Sequence, residues 1–492
     1  MLLKVKLLNL STGRPVAILH ERTAKSLAIY AGDRIKIKDK KSIVAIVDLA
    51  NGIIKENEII LSSEVIKSLN ITEGHAVEIS LSHPPKTTRY ILEKLKGNKL
   101  DYEKIYAIVG DIVSNTLTEA EVAYFVSGIY INGMSDEEIA NLTKAMVSFG
   151  KLLGLKKAVY DKHSIGGVAG NRTTPLIVSI CASAGVIIPK TSSRAITSAA
   201  GTADVVETFT NVEFEVKQIK KIIEKTNGCM VWGGALGLAP ADDKIIQVER
   251  ILSLDPEAQL IASILAKKLA VGAKGILLDI PYGKSAKVKT KSEAEKLGNR
   301  FRKIARLLKL NLKTHITDGS QPIGNGIGPV LEAKDILKVL KQEKSRPLDL
   351  EKKAILLSSM ILEMSKKAKK GRGLQIAADI LKSGQAFRKF RQIVEAQGGS
   401  LNNIDKRLSF AKFFLDIKSE KSSKIKEMDN KKISSIARAA GCPSDKAAGI
   451  YLYVHVNDSI KKNQPILTLY AETKDKLNYA KEIYEKLKPV VY

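Results

Sequence analysis

Hydrophobic and polar residues alternate along the first part of the chain. The alternation is clearest in KVKLLNL from Lys4, DRIKIK from Asp33 and SIVAIVDL from Ser42. A period of two places every second side chain on one face of a strand, so these stretches predict a β-rich region. Two consecutive prolines, Pro84 and Pro85, cannot continue a helix or a central strand, and we expect the region to end there.

The same region contains an internal repeat. AKSLAIYAGDRIKI from Ala24 and IKSLNITEGHAVEI from Ile66 share Lys-Ser-Leu, Ile, Gly and Ile at a constant offset of 42 positions. Two copies of one short unit predict a small barrel with internal twofold symmetry.

The pattern then becomes helical. In MSDEEIANLTKAMVSFG, Ser135 and Glu138 form a capping-box signature, and Ile139, Leu142 and Met146 follow on one helical face. From Lys157 onward, short apolar runs alternate with helical segments, which is typical of an α/β domain.

The tail of the chain turns β-rich again, at GIYLYVHV and QPILTLYAE. Such a tail is also found in biotinyl or lipoyl carriers, which place the modified lysine at a hairpin tip. Lys474 comes after the strand, so a structural role is favoured.

Composition narrows the class of protein. The chain has 492 residues, of which 44% are hydrophobic, and this indicates several globular domains. The longest apolar run, residues 175–189, is shorter than the ~20 residues of a membrane span and predicts a buried helix and strand. No secretory pattern precedes it, and Cys181, Cys229 and Cys442 are far apart. We expect a cytoplasmic protein without a membrane segment.

The formal net charge of +28 suggests nucleic-acid binding as one alternative. In EKLGNRFRKIARLLKLNLK, however, Leu297, Phe301, Ile304 and Leu308 form a buried stripe while the basic residues face away. Aromatic residues make up only 5% and do not interleave with the basic ones. The pattern therefore argues against nucleic acid as a partner, and the charge instead favours anionic substrates.

The strongest chemical signal is KHSIGGVAGNRTTP, residues 162–175. It combines a Lys, a His, hydroxyls, glycines and an Arg without any carboxylate. Backbone N–H groups at glycines beside cations make an oxyanion site. A flexible surface loop is the alternative interpretation.

This stretch and several others resemble the thymidine/pyrimidine nucleoside phosphorylase family. The others are SSRAITSAAGTADVVE, GGALGLAPADDK, ASILAKKLAVGAKGILLDI, QPIGNGIGPVLEA and the tail GIYLYV…PILTLYAE, and together they span residues 88–492. The resemblance implies a helical domain beside a larger α/β domain, with the active site in the cleft between them. It also implies that orthophosphate contacts Lys162, Ser164, Ser192 and Thr202.

Pattern and resemblance together predict an α/β protein with four parts. A small N-terminal β-barrel-like domain precedes the helical and α/β domains, and a β-rich α+β domain follows them. The expected boundaries are 1–84 for the barrel, 88–150 and 240–272 for the helical domain, 155–235 and 274–418 for the α/β phosphate-binding domain, and 420–492 for the C-terminal domain.

The chain departs from the pyrimidine pattern at several positions. Val248 stands where the family's pyrimidine-binding Arg is expected, and Asn171–Arg172 lies in a loop one residue longer. Ser193, Thr197 and Ser198 add hydroxyls where a second anion can sit.

These departures resemble the archaeal branch of the family, the AMP (nucleoside 5′-monophosphate) phosphorylases, which carry an added N-terminal domain. The resemblance implies that AMP, and other nucleoside 5′-monophosphates such as CMP and UMP, react with orthophosphate to give free base and ribose 1,5-bisphosphate. It implies Asp255 as the proton donor to the base. It also implies nucleotide contacts at Gly167, Ser193, Arg194, Ala195, Ile196, Thr197, Ser198, Thr202, Ser263 and Lys287.

Several of these roles have a structural alternative. Asp255, which we expect to be partly buried, can instead cap the helix that begins near Pro256. Arg194 can pair with Asp204 or Glu207 instead of the nucleotide. His163, the second catalytic candidate, can orient the ribose or the leaving base, or make a structural hydrogen bond.

Two further signals are weaker. Lys267 can reach the base or a phosphate, or simply lie on a helix surface. The adjacent acids Asp242 and Asp243 are poor evidence for Mg²⁺, and the family needs no metal, so we expect neither metal nor cofactor.

A pyrimidine nucleoside phosphorylase is the closest alternative function, and Val248 argues against it. A phosphoribosyltransferase would need diphosphate and metal chemistry that the sequence does not offer. We expect a homodimer or larger homo-oligomer, with the barrel mediating assembly.

Overall fold

The computed structural model describes residues 1–195, 198–252 and 254–492. The chain forms two compact units, Met1–Phe149 with Ala239–Ser263, and Gly150–Leu238 with Ile264–Tyr492. Among the described residues, no helix is long and apolar enough to cross a membrane. The finer division into four domains stays a prediction.

The first unit begins with a closed six-stranded barrel. Its elements are β1 (Leu2–Lys6), β2 (Val16–His20), α1 (Glu21–Ser26), β3 (Arg34–Lys38), β4 (Ser42–Ala50), β5 (Glu58–Leu61), α2 (Ser63–Leu69) and β6 (Ala76–Leu81). The strands close in the order β1-β5-β2-β4-β3-β6. Inward-facing Ile35, Ile37 and Ile59 are fully buried, as the alternating pattern requires.

The barrel confirms the twofold repeat. The starts of β2, α1 and β3, moved by 42 positions, coincide with the starts of β5, α2 and β6. Exchanging the two halves of the barrel reproduces the same strand neighbours.

Helices complete the first unit. They are α3 (Thr87–Leu95), α4 (Tyr102–Val113), α5 (Glu119–Asn132) and α6 (Asp136–Ser148). The predicted capping box of α6 is present, with reciprocal bonds between Ser135 and Glu138. Glu138 also accepts a 2.9 Å bond from the buried Lys94, which ties α6 to α3.

The second unit contains parallel strands flanked by helices. Its first elements are β7 (Val159–Ser164), α7 (Thr173–Ser183), β8 (Ile188–Ser192), α8 (Thr202–Val206), α9 (Val216–Thr226), β9 (Gly228–Trp232) and a 3₁₀ turn (Gly234–Leu236). The apolar run 175–189 is thus a helix followed by a strand, as predicted.

Helix α10 (Pro240–Leu252) belongs to the first unit, and the chain returns to the second after Ser263, within the helix that follows. The following elements are α11 (Glu257–Ala270), β10 (Ala273–Tyr282), α12 (Lys291–Leu307), β11 (Asn311–Asp318), β12 (Gly326–Ile327), α13 (Pro329–Leu340), α14 (Leu348–Met364), α15 (Gly373–Lys382), α16 (Gln385–Ala396) and α17 (Ile404–Arg407). The parallel strands pair as β11-β10-β7 and β8-β9, and a bridge from Val159 to Ile187 joins the two sets. The predicted stripe of α12 is buried at Leu297, Phe301 and Ile304, whereas Leu308 caps the end of the helix and is only half-buried.

The end of the chain packs on a second sheet. Its elements are β13 (Phe413–Lys418), β14 (Ser423–Lys424), β15 (Glu427–Met428), α18 (Asn430–Ala439), β16 (Gly449–Leu452), β17 (Ser459–Ile460), β18 (Pro465–Ala471), α19 (Lys474–Leu487) and β19 (Val490–Val491). The sheet order is β12-β16-β18-β13, so the α/β part contributes one strand. Lys474 is the first residue of α19 and not at a hairpin tip.

Candidate functional site

The predicted phosphate residues lie at the carboxyl ends of neighbouring strands. Lys162, His163 and Ser164 are the last residues of β7, and Ser192 is the last residue of β8. Carboxyl ends of parallel strands are where α/β sheets bind ligands, because the loops that follow are not constrained by the sheet. The strands therefore place these side chains at one sheet edge.

Lys162 is an almost fully buried cation. Its Nζ donates to Thr173 Oγ1 at 3.2 Å and lies 4.0 Å from Asp279 Oδ2. Burial lowers the pKa of Lys162 to about 8, because the attraction of Asp279 only partly compensates for lost hydration. At neutral pH the ammonium group is mostly charged and has few protein partners, which suits it to an incoming anion.

Two further lysines flank Asp161, the residue before Lys162. Lys268 Nζ lies 2.6 Å from Asp161 Oδ2, and Lys190 Nζ lies 3.4 Å from Oδ1. Lys190 also donates to the main-chain oxygen of Lys162 at 2.8 Å. Burial lowers the pKa of Lys190 to about 7, whereas the flanking lysines hold the pKa of Asp161 below its usual range despite burial.

Asp279 on β10 contacts two hydroxyl groups and a further lysine at this end of the sheet. It accepts from Ser164 Oγ at 2.9 Å and Thr317 Oγ1 at 2.7 Å, and Lys353 Nζ lies 3.2 Å away. Around the end of β7, four lysines thus face two aspartates, and the excess positive charge favours a bound anion.

His163 lies in the same field of cations. Burial lowers its pKa well below the usual value, and the neighbouring lysines, Lys268 first, add to the effect. The imidazole is therefore neutral at physiological pH. It can orient a hydroxyl or a base through hydrogen bonds, but it holds no excess proton to give.

The loop after β8 is held by buried Asp204. Its Oδ2 accepts from the backbone N–H of Ala195 at 2.7 Å and of Gly201 at 2.8 Å. A Cβ at Gly201 would lie 2.5 Å from the Ser193 oxygen, so only glycine allows this close approach. Ser193 and Ser198 are exposed on the loop, whereas Ile196 and Thr197 lie outside the described residues.

Arg194 pairs with carboxylates of the protein, which is the alternative to a nucleotide contact that the sequence left open. Its guanidinium lies 2.6 Å from Glu207, 3.0 Å from Glu213 and 3.3 Å from Asp204, and it packs 4.9 Å from the Trp232 ring centroid. These carboxylates raise its pKa further, and Arg194 in turn lowers the pKa of Glu207 to about 2. A nucleotide contact by Arg194 stays a prediction.

Arg172 joins three segments of the second unit. Its Nη1 donates to Thr202 Oγ1 at 2.8 Å, its Nη2 to the Ala200 oxygen at 2.8 Å, and its Nε to buried Glu332 at 2.6 Å. The guanidinium thus fixes Thr202, a predicted phosphate contact, at the start of α8.

Gly167 and Lys287, both predicted nucleotide contacts, are adjacent. Gly167 has a φ of +85°, and a Cβ there would lie 2.3 Å from the Lys287 backbone nitrogen. A glycine is needed at this position because φ is positive and because the segment that contains Lys287 approaches closely.

Two buried polar atoms at the sheet edge have no hydrogen-bond partner among the described residues, Ser192 Oγ and Asn171 Oδ1. A buried polar atom without a partner costs about 1–3 kcal/mol. Such atoms in a native fold indicate a place for a ligand or water.

The remaining predicted residues include two in the first unit. Asp255 is exposed, so the expectation of partial burial is wrong; it lies two residues before α11. Ser263 donates to buried Asp242 Oδ2 at 2.9 Å. Val248 is buried on α10. On α11, Lys267 is half-buried, and its neighbour Lys268 is the lysine that pairs with Asp161.

Sequence reasoning missed Lys190, Lys268, Asp279 and Lys353. A signal existed for two of them, because Lys190 and Asp279 interrupt the apolar strands IIPKTS and ILLDIP. Charged residues inside buried strands are uncommon without a partner. Within the described residues, no group of three or more His, Cys, Asp or Glu side chains is arranged to hold a metal ion.

Comparison with known proteins agrees with this architecture. Residues 88–150 match the glycosyl transferase family helical bundle domain, residues 156–387 match the family's a/b domain, and residues 424–489 match the pyrimidine nucleoside phosphorylase C-terminal domain. The solved anthranilate phosphoribosyltransferase of Thermus thermophilus superposes with a TM-score of 0.53 at 17% identity, covering 63% of this chain and 99% of that one. That similarity concerns the fold alone.

The chain therefore belongs to the glycosyl transferase family whose members join a helical bundle to an α/β domain. Among its relatives are AMP phosphorylases that match it end to end. The enzyme of Pyrococcus furiosus is 43% identical over 99% of this chain and 97% of its own length. Those of Methanocaldococcus jannaschii and Thermofilum pendens are 42% and 41% identical over 99% and 100% of this chain, and 97% and 95% of their own lengths.

Proposed function

We propose that this chain cleaves AMP with orthophosphate, releasing adenine and ribose 1,5-bisphosphate. The bond from C1′ to the base nitrogen breaks, a phosphate oxygen bonds to C1′, and a proton is delivered to the base. The observation that carries the proposal is the end-to-end similarity to AMP phosphorylases. The polar and cationic groups at the end of β7 support the same proposal, because they suit the binding of orthophosphate.

Orthophosphate binds at the sheet edge formed by Lys162, Ser164, Ser192 and Thr202. The Ser192 hydroxyl, which has no hydrogen-bond partner in the described part of the chain, and the charged Lys162 supply donors. The excess of lysines over aspartates supplies the positive field. Holding the nucleophile in place lowers the entropic barrier of a two-substrate reaction. The lysines also stabilise the charge that phosphate retains as it attacks an oxocarbenium-like C1′.

The nucleotide's 5′-phosphate is bound by Gly167, Lys287 and the loop from Ser193 to Ser198. Gly167 exposes backbone beside Lys287, and Asp204 holds the loop through its backbone N–H groups. Arg194 supports this loop through its carboxylate partners, so its contribution to nucleotide binding is partly indirect.

Asp255 donates the proton to the leaving base. Its carboxyl is exposed, and so it can exchange protons with solvent between turnovers. The neutral His163 orients the ribose or the base. CMP and UMP are further substrates, as the resemblance to nucleoside 5′-monophosphate phosphorylases implies. A homodimer or larger homo-oligomer is the working form.

The function is tested by incubating the purified protein with AMP, with and without phosphate, and separating the products by chromatography. Free adenine should form only when phosphate is present. Lys162→Met, which removes a buried cation from the phosphate site, should abolish adenine release. Thymidine and uridine serve as competitor substrates. Rapid cleavage of thymidine with no cleavage of AMP would support the pyrimidine alternative.

A further inference from the structure

Asp279 is fully buried at the centre of the sheet, and Ser164 donates to its Oδ2 at 2.9 Å. The other contacts of Asp279 are with Thr317 at 2.7 Å, Lys353 at 3.2 Å and Lys162 at 4.0 Å. The partners therefore surround the carboxylate on both oxygens.

The carboxylate is ionised. Burial opposes its charge, but Lys162 and Lys353 and the bonds from Thr317 and Ser164 hold the pKa of Asp279 below its usual range. An ionised carboxylate can only accept hydrogen bonds, so the single hydrogen of Ser164 must point at Asp279. The side of Ser164 Oγ that faces away from Asp279 then presents lone pairs, which in the described residues are approached only by the Asn171 amide, whose Nδ2 donates from 3.5 Å.

The neighbouring groups are hydrogen-bond donors. Lys162 Nζ has donors only, and Ser192 Oγ is buried with no partner among the described residues, so its hydroxyl can donate. The sheet edge thus combines several donors with two acceptors, the lone pairs of Ser164 Oγ and the buried Asn171 Oδ1. An anion that matches it must accept hydrogen bonds and donate one.

We propose that Asp279 is a positioning residue that makes Ser164 a hydrogen-bond acceptor, and that Ser164 thereby selects protonated tetrahedral anions such as hydrogen phosphate over sulfate. This inference rests on the proposed phosphate site. Hydrogen phosphate carries one P–O–H at neutral pH, and that hydrogen points at Ser164. Sulfate has no hydrogen to offer, so its oxygen would meet the lone pairs of Ser164.

The selectivity arises because placing two hydrogen-bond acceptors against each other costs free energy of binding. A buried acceptor that faces another acceptor loses its hydrogen bond and stays desolvated, which weakens binding roughly 10- to 100-fold. Arsenate, which is also protonated at neutral pH, should bind like phosphate.

Titration calorimetry of the full-length protein with phosphate, arsenate and sulfate at pH 7 tests the inference. In the unmodified protein, phosphate and arsenate should bind about 10- to 100-fold more tightly than sulfate. Ser164→Ala should weaken phosphate but not sulfate, bringing the two within about 3-fold. Asp279→Asn should act in the same direction, because its amide can donate to Ser164 and release the hydroxyl to donate to either anion.

Ser192→Ala is the matched control. It removes a donor that serves both anions, so both should weaken together and their ratio should stay unchanged. Equal affinities in the unmodified protein, or a parallel loss of both anions in Ser164→Ala, would overturn the inference. If Asp279→Asn does not fold, Ser164→Ala decides alone, because it leaves every buried charge paired.

The outcome is separable from that of the proposed function. A protein that cleaves AMP but binds sulfate as well as phosphate refutes only the role of Asp279 and Ser164. A protein that prefers phosphate but does not cleave AMP refutes only the proposed reaction. Absence of any anion binding would refute both.

Discussion

Raising the pH should weaken phosphate binding through Lys162. The pKa of this buried lysine is lowered to about 8, so the ammonium is charged below that pH and loses its proton above it. Only the charged form attracts phosphate strongly, and once the pH is well above neutrality nearly all phosphate is already the dianion. Affinity should therefore be highest near neutral pH and fall as the pH rises through the pKa of Lys162.

The size of the effect follows from the charged fraction. With a pKa of about 8, roughly nine-tenths of Lys162 is charged at pH 7 and about 3% at pH 9.5. The contribution of Lys162 to phosphate affinity should thus fall about 30-fold, or about 2 kcal/mol, over that interval. Above pH 8 the change in phosphate affinity is due to Lys162, because the pKa of neighbouring Lys190 is lower, about 7.

Direct binding measurements by calorimetry at several pH values provide the assay, since they avoid any effect of pH on turnover. Lys162→Arg is the matched control, because guanidinium stays charged throughout and its profile should be nearly flat above pH 8. A flat profile in the unmodified protein would refute the reasoning. So would a 30-fold fall that persists in Lys162→Arg.

Three further predictions test other parts of the account. AMP should be cleaved at least ~100-fold more efficiently than adenosine, measured as kcat/KM, because adenosine leaves the 5′-phosphate donors unpaired; equal values would argue against a second anion site. Asp255→Asn should lower kcat about 10²–10⁴-fold with little change in AMP affinity, and near-normal turnover would leave the residue a helix cap. Deleting residues 1–84 should reduce the particle size in light scattering while the remaining chain keeps much of its activity, and an unchanged size with activity lost would contradict an assembly role for the barrel.

The sequence predicted what local patterns encode. Alternation and the repeat at an offset of 42 positions were sufficient for the barrel, because each strand's inner face is determined by its own residues. Likewise Ser135 and Glu138 are three residues apart, so their capping box can be recognised without tertiary information. The motif from Lys162 to Pro175 predicts an anion site from local residues in the same way, and that site stays a prediction.

The buried ionic cluster could not be derived in this way. Asp161, Lys190 and Lys268 come from three segments, and only the pairing of β7 with its neighbours and the packing of α11 bring them together. Asp255 illustrates the converse error. Its position before Pro256 predicted a helix cap, but the expected partial burial depends on distant parts of the chain, and the structure leaves the side chain exposed.

In the proposed reaction phosphate, not water, attacks C1′ of a nucleotide that keeps its own 5′-phosphate. Phosphorus NMR of a reaction containing AMP and orthophosphate tests this directly. We predict that the AMP and orthophosphate signals decrease together while two new signals of equal intensity appear, one for a phosphate on C1′ and one for the retained 5′-phosphate. Formation of ribose 5-phosphate with no loss of orthophosphate, or no consumption of AMP at all, would contradict the account.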